Sequence, residues 1–252
     1  MHFGAPDPER SRVREKHFVS WLRKIEPEAS DLFLVGDLFD FWFEYRHAVP
    51  KGYMRFLGEL ARLADAGVKL HVFAGNHDLW YKTYLTEELG ATLYFTPQVI
   101  TLRGKKCYIA HGDGLGPGDH GYKAMKAVFQ SPFSRWLFRW LHPDVGIGLA
   151  LWLSKHSGDH NYEAEHRVGD FSEDEWLMQH ARTQLALDPD IDCFIFGHRH
   201  VLVQRELSAT SSFFILGDWI QYFSYLEMSD QGVDLKSFPL TQTENASSIP
   251  PA

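Results

Sequence analysis

Four polar runs in this chain each follow an apolar stretch: Gly36-Asp37, Gly75-Asn76-His77-Asp78, His111-Gly112-Asp113 and Gly197-His198-Arg199-His200. The stretches ahead of them are Leu32-Phe33-Leu34-Val35, Leu70-His71-Val72-Phe73-Ala74, Cys107-Tyr108-Ile109-Ala110 and Cys193-Phe194-Ile195-Phe196. They are short and rich in aromatic and β-branched residues, the pattern of buried strands. Polar side chains at the ends of neighbouring strands converge on one edge of a sheet. A glycine beside Asp37, Asn76, His111 and His198 lets the backbone turn sharply there, so that a short side chain can aim at an ion. Asp, Asn and His donors together suit divalent ions such as Mn²⁺, Fe²⁺ or Zn²⁺, whereas a structural zinc more usually recruits cysteines. One such run alone reads as a turn or as a hydrogen-bonded core histidine. Four in one chain, each after a strand, point to a dinuclear metal site.

At these residues the chain resembles the calcineurin-like metallophosphoesterases. Their pattern runs Asp-x-His, Gly-Asp-x-x-(Asp/Glu), Gly-Asn-His-(Asp/Glu), a His next to Gly, and Gly-His-x-His. Gly36-Asp37-Leu38-Phe39-Asp40, the Gly75 to Asp78 run, His111-Gly112 and the Gly197 to His200 run fill the last four blocks. The resemblance implies an α/β fold, a four-layer αββα sandwich that holds two divalent ions. It implies that Asp37 bridges the ions, that Asn76, His111 and His198 complete one site, and that His2 with His200 serves the other. Catalysis would rest on Asp37 and His77, with Asn76, His77 and His198 beside the substrate phosphate and Asp78 orienting the His77 ring. Asp40 and Asp113 would accept the outer N–H groups of imidazole ligands. Manganese is the expected ion, with Fe²⁺, Zn²⁺ and Mg²⁺ as alternatives.

The first block departs from the pattern. His2-Phe3-Gly4 fits the tail of Asp-x-His-x-Gly, but the Asp falls ahead of Met1 and the family's first central strand has no counterpart. A late start is the expectation, because deleting a central strand strips apolar area worth several kcal/mol at about 25 cal/mol per Å². The competing expectation is a weakened first metal site.

The elements that must position these runs alternate strand and helix. Pro8 to Ile25 carries Val13, His17, Trp21 and Ile25 at helical spacing ahead of Pro27, and Gly52 to Ala66 repeats the pattern with Phe56, Leu60 and Leu63 before Gly67. Ser172 to Leu187 opens with Ser-Glu-Asp-Glu, a cap with an acidic first turn, and closes before Pro189. Val201 to Leu207, Ser212 to Leu216 and Tyr222 to Met228 read as further strands.

Between 120 and 160 the chain inserts Tyr122, Phe129, Phe133, Trp136, Phe138, Trp140 and Trp152 with the apolar stretch Val145 to Leu153. Lys123, Lys126, Arg135, Arg139 and Lys155 outnumber the acids there. A hairpin packing its aromatics onto the domain accounts for this. So does a lid that receives acyl chains and turns a basic fringe toward phosphate or an anionic membrane. The expected organisation is a core over 1–119, a helical lid over 120–160, the rest of the core over 161–240, and a disordered tail over 241–252.

With that insertion the resemblance narrows to the UDP-2,3-diacylglucosamine hydrolases of lipid A synthesis. It rests on Gly36-Asp37-Leu38-Phe39-Asp40-Phe41-Trp42, His111-Gly112-Asp113-Gly114-Leu115, Leu216-Gly217-Asp218-Trp219 and Asp119-His120-Gly121-Tyr122. It implies that Asp119, Tyr122, Ser157 and Asn161 contact substrate. It further implies a lipid-linked UDP-sugar as substrate, UMP and 2,3-diacylglucosamine 1-phosphate as products, and peripheral contact with the inner membrane. Gly-Asn-His-Asp stands where the best-known members have Gly-Asn-Arg-Asp. Another nucleotide-diphosphate or phospholipid substrate is therefore an alternative, as is a catalytically impaired binding protein on the same fold.

Composition is consistent with an intracellular enzyme. The 252 residues, 44% of them hydrophobic, can bury one substantial core. Cys107 and Cys193 sit in strand-like runs and read as small core residues. The chain shows no charged-plus-apolar leader and no apolar run of spanning length, which makes the cytoplasm the expected compartment. A net charge of -8 argues against nucleic acid as a partner.

Overall fold

The computed structural model describes residues 1–116, 120–165 and 175–240, apart from the side chains of 120, 122 and 155–165. Strands β1 (Asp31–Val35), β2 (Lys69–Phe73) and β3 (Thr92–Tyr94) form a parallel sheet in that order. A second sheet runs β4-β5-β6-β8-β7, from β4 (Gln98–Leu102), β5 (Lys105–Ala110), β6 (Cys193–Phe196), β7 (Leu202–Glu206) and β8 (Ser212–Leu216). β5, β6 and β8 are parallel neighbours, and β4 and β7 close the edges antiparallel. A hairpin of β9 (Ser224–Ser229) and β10 (Gly232–Ser237) stands apart.

Alternation along the strands sorts the side chains into layers. On β1, Leu32 and Leu34 join one core with Phe18, Trp21 and Leu22 of helix α1 (Pro8–Ile25) and Phe56, Leu60 and Leu63 of α2 (Met54–Asp65). Phe33 and Val35 turn the other way and meet Cys107, Ile109, Cys193, Ile195 and Phe214 between the two sheets. On the far side Tyr108, Phe194, Phe196, Phe213 and Ile215 pack on Leu177, Met178 and Ala181 of α7 (Trp176–Leu187). The order helix, sheet, sheet, helix is the αββα sandwich. Strands buried on both faces read as near-continuous apolar runs, which is why they stand out in the sequence.

Helix starts are tied down by carboxylates from elsewhere in the chain. Glu15 of α1 accepts from the amides of Arg55 and Phe56 at the head of α2, and Glu44 accepts from Lys82, Thr83 and Tyr84 at the head of α3 (Tyr84–Leu89). α7 begins after Glu175, which makes no side-chain cap bond; Ser172, expected as its cap, lies outside the described residues, as does the tail 241–252. The strand expected from Tyr222 starts at Ser224, because Asp218 Oδ1 holds the amides of Ile220, Gln221 and Tyr222 in a turn and Phe223 is left-handed.

A cavity of about 510 Å³ runs along the outer edge of β1, between it and β9, and reaches the metal-site residues Asp37, His111, His198 and His200. β1 has no strand partner on that side among the described residues. At the cavity's inner end Met1 and His2 donate to the Asp37 carbonyl at 2.7 and 2.9 Å, and burial lowers the Met1 amine to about 6.

Candidate metal centre

Asp37 follows β1, Asn76 follows β2, His111 follows β5 and His198 follows β6, so two sheets deliver their C-terminal ends to one place. Close approach requires glycine at two of these turns. A Cβ on Gly75 would collide with the Asp37 carboxylate and backbone, and one on Gly36 with the His111 ring. Asp37, His198 and His2 themselves adopt left-handed φ values of 50, 62 and 50°. Non-glycine residues hold that conformation only where their surroundings over-determine it, and such strain gathers at functional sites.

Ligand-capable atoms of Asp37, His111 and His198 lie within 4.8 Å of one another. His111 Nδ1 donates to the Val35 carbonyl at 2.8 Å, so its Nε2 faces Asp37 Oδ2 at 3.1 Å and Asn76 Oδ1 at 3.2 Å. Asn76 Oδ1 also meets His198 Nδ1 at 3.0 Å. Two oxygen acceptors against one nitrogen demand a proton or a cation between them. Burial alone would strip the proton from His111, but Asp37 retains it and the group rises to about 9. Burial, and then His111, push His198 down to about 4, leaving it a neutral donor. This donor set fits a divalent ion, which would take the place of the shared proton.

A second group gathers His2, Asp40 and His77 within the same 4.8 Å. His2 Nε2 lies 3.6 Å from the same Asp37 Oδ2 that faces His111, so one carboxylate oxygen spans both groups. The His2 segment is pinned by Arg14, which donates to the carbonyls of His2 and Ala5, and by Gly4 donating to Ser11. Burial drives His2 far below the usual imidazole range.

The carboxylates around the site depart from expectation at Asp78. His200 lies beside His2, with ring centroids 5.0 Å apart, but its Nδ1 meets Asp218 Oδ2 at 3.2 Å and it belongs to neither compact group. Asp78 does not orient His77. It is fully buried and accepts from the amides of Leu38, Phe39 and Gly75 and the Tyr81 hydroxyl, stapling the two ligand loops together. His77 is instead held by Asp40, through the carbonyl at 3.2 Å and the carboxylate at 3.5 Å. Burial would lower His77, but Asp37 and Asp40 outweigh it and raise it to about 9. Asp113 pairs with Lys126 at 2.5 Å. Asp218 was missed as a site residue: burial opposes its charge, yet His200 and the turn amides hold it at about 2. Its signal was present, since Leu216-Gly217-Asp218 repeats the strand-Gly-Asp run of Asp37.

The segment over the site folds as α4 (His120–Gln130), α5 (Pro132–Arg139) and α6 (Pro143–Glu165). Phe138 docks it to the core, with ring centroids 4.6 Å from Phe43 and 4.8 Å from Trp80. Trp80 Nε1 donates to the Phe129 carbonyl, and Ser154 on α6 donates to Asp40 at 2.9 Å. Phe133, Trp136, Trp140 and Trp152 remain 69, 53, 74 and 55% exposed. Asp119 lies outside the described residues, as do the side chains of Tyr122, Ser157 and Asn161. Among the described residues no helix is long and apolar enough to cross a membrane.

The family model for calcineurin-like phosphoesterases matches residues 14–202. The chain belongs to the calcineurin-like phosphoesterase family, a class of metal-dependent hydrolases. A UDP-2,3-diacylglucosamine hydrolase of Porphyromonas gingivalis is 39% identical over 234 residues, 89% of each chain. Proteins of the same name from Edwardsiella ictaluri and Pseudomonas paraeruginosa are each 26% identical, covering 90 and 95% of this chain and 87 and 97% of their own.

Proposed function

We propose that the protein is a Mn²⁺-dependent pyrophosphatase of UDP-2,3-diacylglucosamine in lipid A synthesis, working on the cytoplasmic face of the inner membrane. Water adds to the phosphorus that bears uridine, the phosphoanhydride bond breaks, and UMP and 2,3-diacylglucosamine 1-phosphate leave. The observation that carries the reading is the single Asp37 oxygen spanning two donor groups, in a chain whose relatives of nearly equal length bear that name. Two divalent ions held there would draw a nucleophile from water near neutral pH and offset charge on the phosphoryl oxygens.

Asn76, His111 and His198 would hold one ion and His2 with His200 the other, Asp37 being shared between the two groups. Asp218 fixes the His200 tautomer by accepting from Nδ1, so that Nε2 carries the lone pair. His77, steadied by Asp40, would donate toward the phosphoryl group and offset its charge. The exposed aromatics of α5 and α6 suit acyl chains and the membrane surface, and the family resemblance would give Asp119, Tyr122, Ser157 and Asn161 contacts with substrate.

The test is turnover of the diacyl substrate and of soluble nucleotide esters by the metal-loaded protein, beside Asp37→Ala. Release of UMP from the diacyl substrate, lost in Asp37→Ala together with bound metal, is expected. Equal turnover of soluble esters would replace the reading with a broader phosphoesterase.

A further inference from the structure

A second cavity, of about 290 Å³, opens beside the metal centre on the side away from α6. Its inner wall includes His111 and Asp113, its floor Phe73, Ala110 and Leu115, and its outer wall the β3–β4 loop and α4. The cavity meets the centre at His111 and Asp113, whereas α6 meets it at Asp40 and His77 through Ser154. In-line displacement at phosphorus sends its two substituents in different directions, so a diphosphate reacting at the centre needs a receptacle for each.

We propose that this cavity is the nucleoside subsite: it takes the uridine of the substrate, with Phe95 and Gln130 as the residues that recognise the base. This rests on the pyrophosphatase reading above. The size suits a nucleoside and is too small for a diacylated sugar, and an apolar floor with few polar groups at the rim is the usual make-up of a small-molecule pocket. Phe95 is 43% exposed at the mouth and offers a ring face on which a base stacks. Gln130, the last residue of α4, is half-buried in the wall, and its amide makes no hydrogen bond to the described residues. One donor and one acceptor side by side complement the N3–H and O4 edge of uracil. Lys126 and Lys123 bring ammonium groups to the rim, where Lys126 offsets the Asp113 carboxylate that would otherwise repel a nucleotide phosphate.

The experiment measures binding of UMP and of inorganic phosphate to the Mn²⁺-loaded protein by calorimetry, with Phe95→Ala and Gln130→Ala beside the wild type. KM and kcat for the diacyl substrate are followed in parallel. Roughly ten- to hundredfold weaker UMP binding in Phe95→Ala, with a much smaller change for phosphate, is the expected result. KM should rise more than kcat falls. Unchanged UMP affinity in both variants, while the wild type turns over the diacyl substrate, would overturn the subsite and leave the pyrophosphatase reading standing. Weakened UMP binding in variants of a protein that never cleaves the diacyl substrate would keep the subsite and sink that reading instead.

Discussion

His77 is the residue whose role is most sharply testable, because its position admits two. It lies beside Asp40 and His2 in a group able to hold an ion, and Asp37 and Asp40 favour its charged form. As a donor to the phosphoryl group, His77→Ala should cost about 10²–10⁴ in rate with metal content unchanged. Loss of one equivalent of metal by elemental analysis would make it a ligand. Gly75→Ala should act through its neighbour: the new Cβ meets the Asp37 carboxylate, so metal affinity falls while far-UV circular dichroism stays native. Restored metal binding at raised Mn²⁺ would leave that account intact, and unfolding would refute it. The Asp37, Asn76, His111 and His198 cluster was legible in the sequence because a strand end fixes where its next residue points. The partners of the imidazoles were not. That Asp40 rather than Asp78 meets His77 depends on how two loops interleave, and no spacing along the chain encodes it.

At the scale of elements, α5 and α6 divide into an anchor and an open face. Phe138 is sandwiched among Phe43, Tyr45 and Trp80, whereas Trp136 and Trp152 face outward. Replacing Trp136 and Trp152 by Ser should therefore reduce turnover of the diacyl substrate far more than that of a small phosphodiester, with little change in melting temperature. Phe138→Ser should lower the melting temperature by loosening the segment from the core. Equal losses on both substrates in the tryptophan variant would show that these rings serve the fold instead. Helices α1 and α2 and the central strands were legible because each buries a clear stripe or an unbroken apolar run. β3, β4 and β10 escaped the sequence reading for a physical reason. They are short or edge strands with mixed exposure, and such strands carry little periodic signal.

For the whole molecule, burial sets the response to alkali. Tyr53 and Tyr108 are pushed up to about 12, both by burial and Tyr53 also by Asp40 and Glu15, and burial with Asp78 raises Tyr81 well above the usual phenol value. The folded state thus holds these phenols neutral above their unfolded value of 10.0. Their contribution to stability is complete below that pH and is lost as pH climbs from about 10 through about 12. Tyrosinate absorbance should accordingly rise in two stages, exposed rings first and the buried set only with unfolding. A single stage near the free value would contradict the burial described here. The alternation of strand and helix was legible in the residues, and the layer order only through the family resemblance of the polar runs. The separation of the strands into a three-stranded and a five-stranded sheet was not, because it depends on which of several equally apolar runs lie side by side.

The space beside β1 has a consequence for solvent. At about 510 Å³ it admits water along the strand edge to Asp37, His111, His198 and His200, an approach to the ligand side chains separate from the face that α6 meets through Ser154.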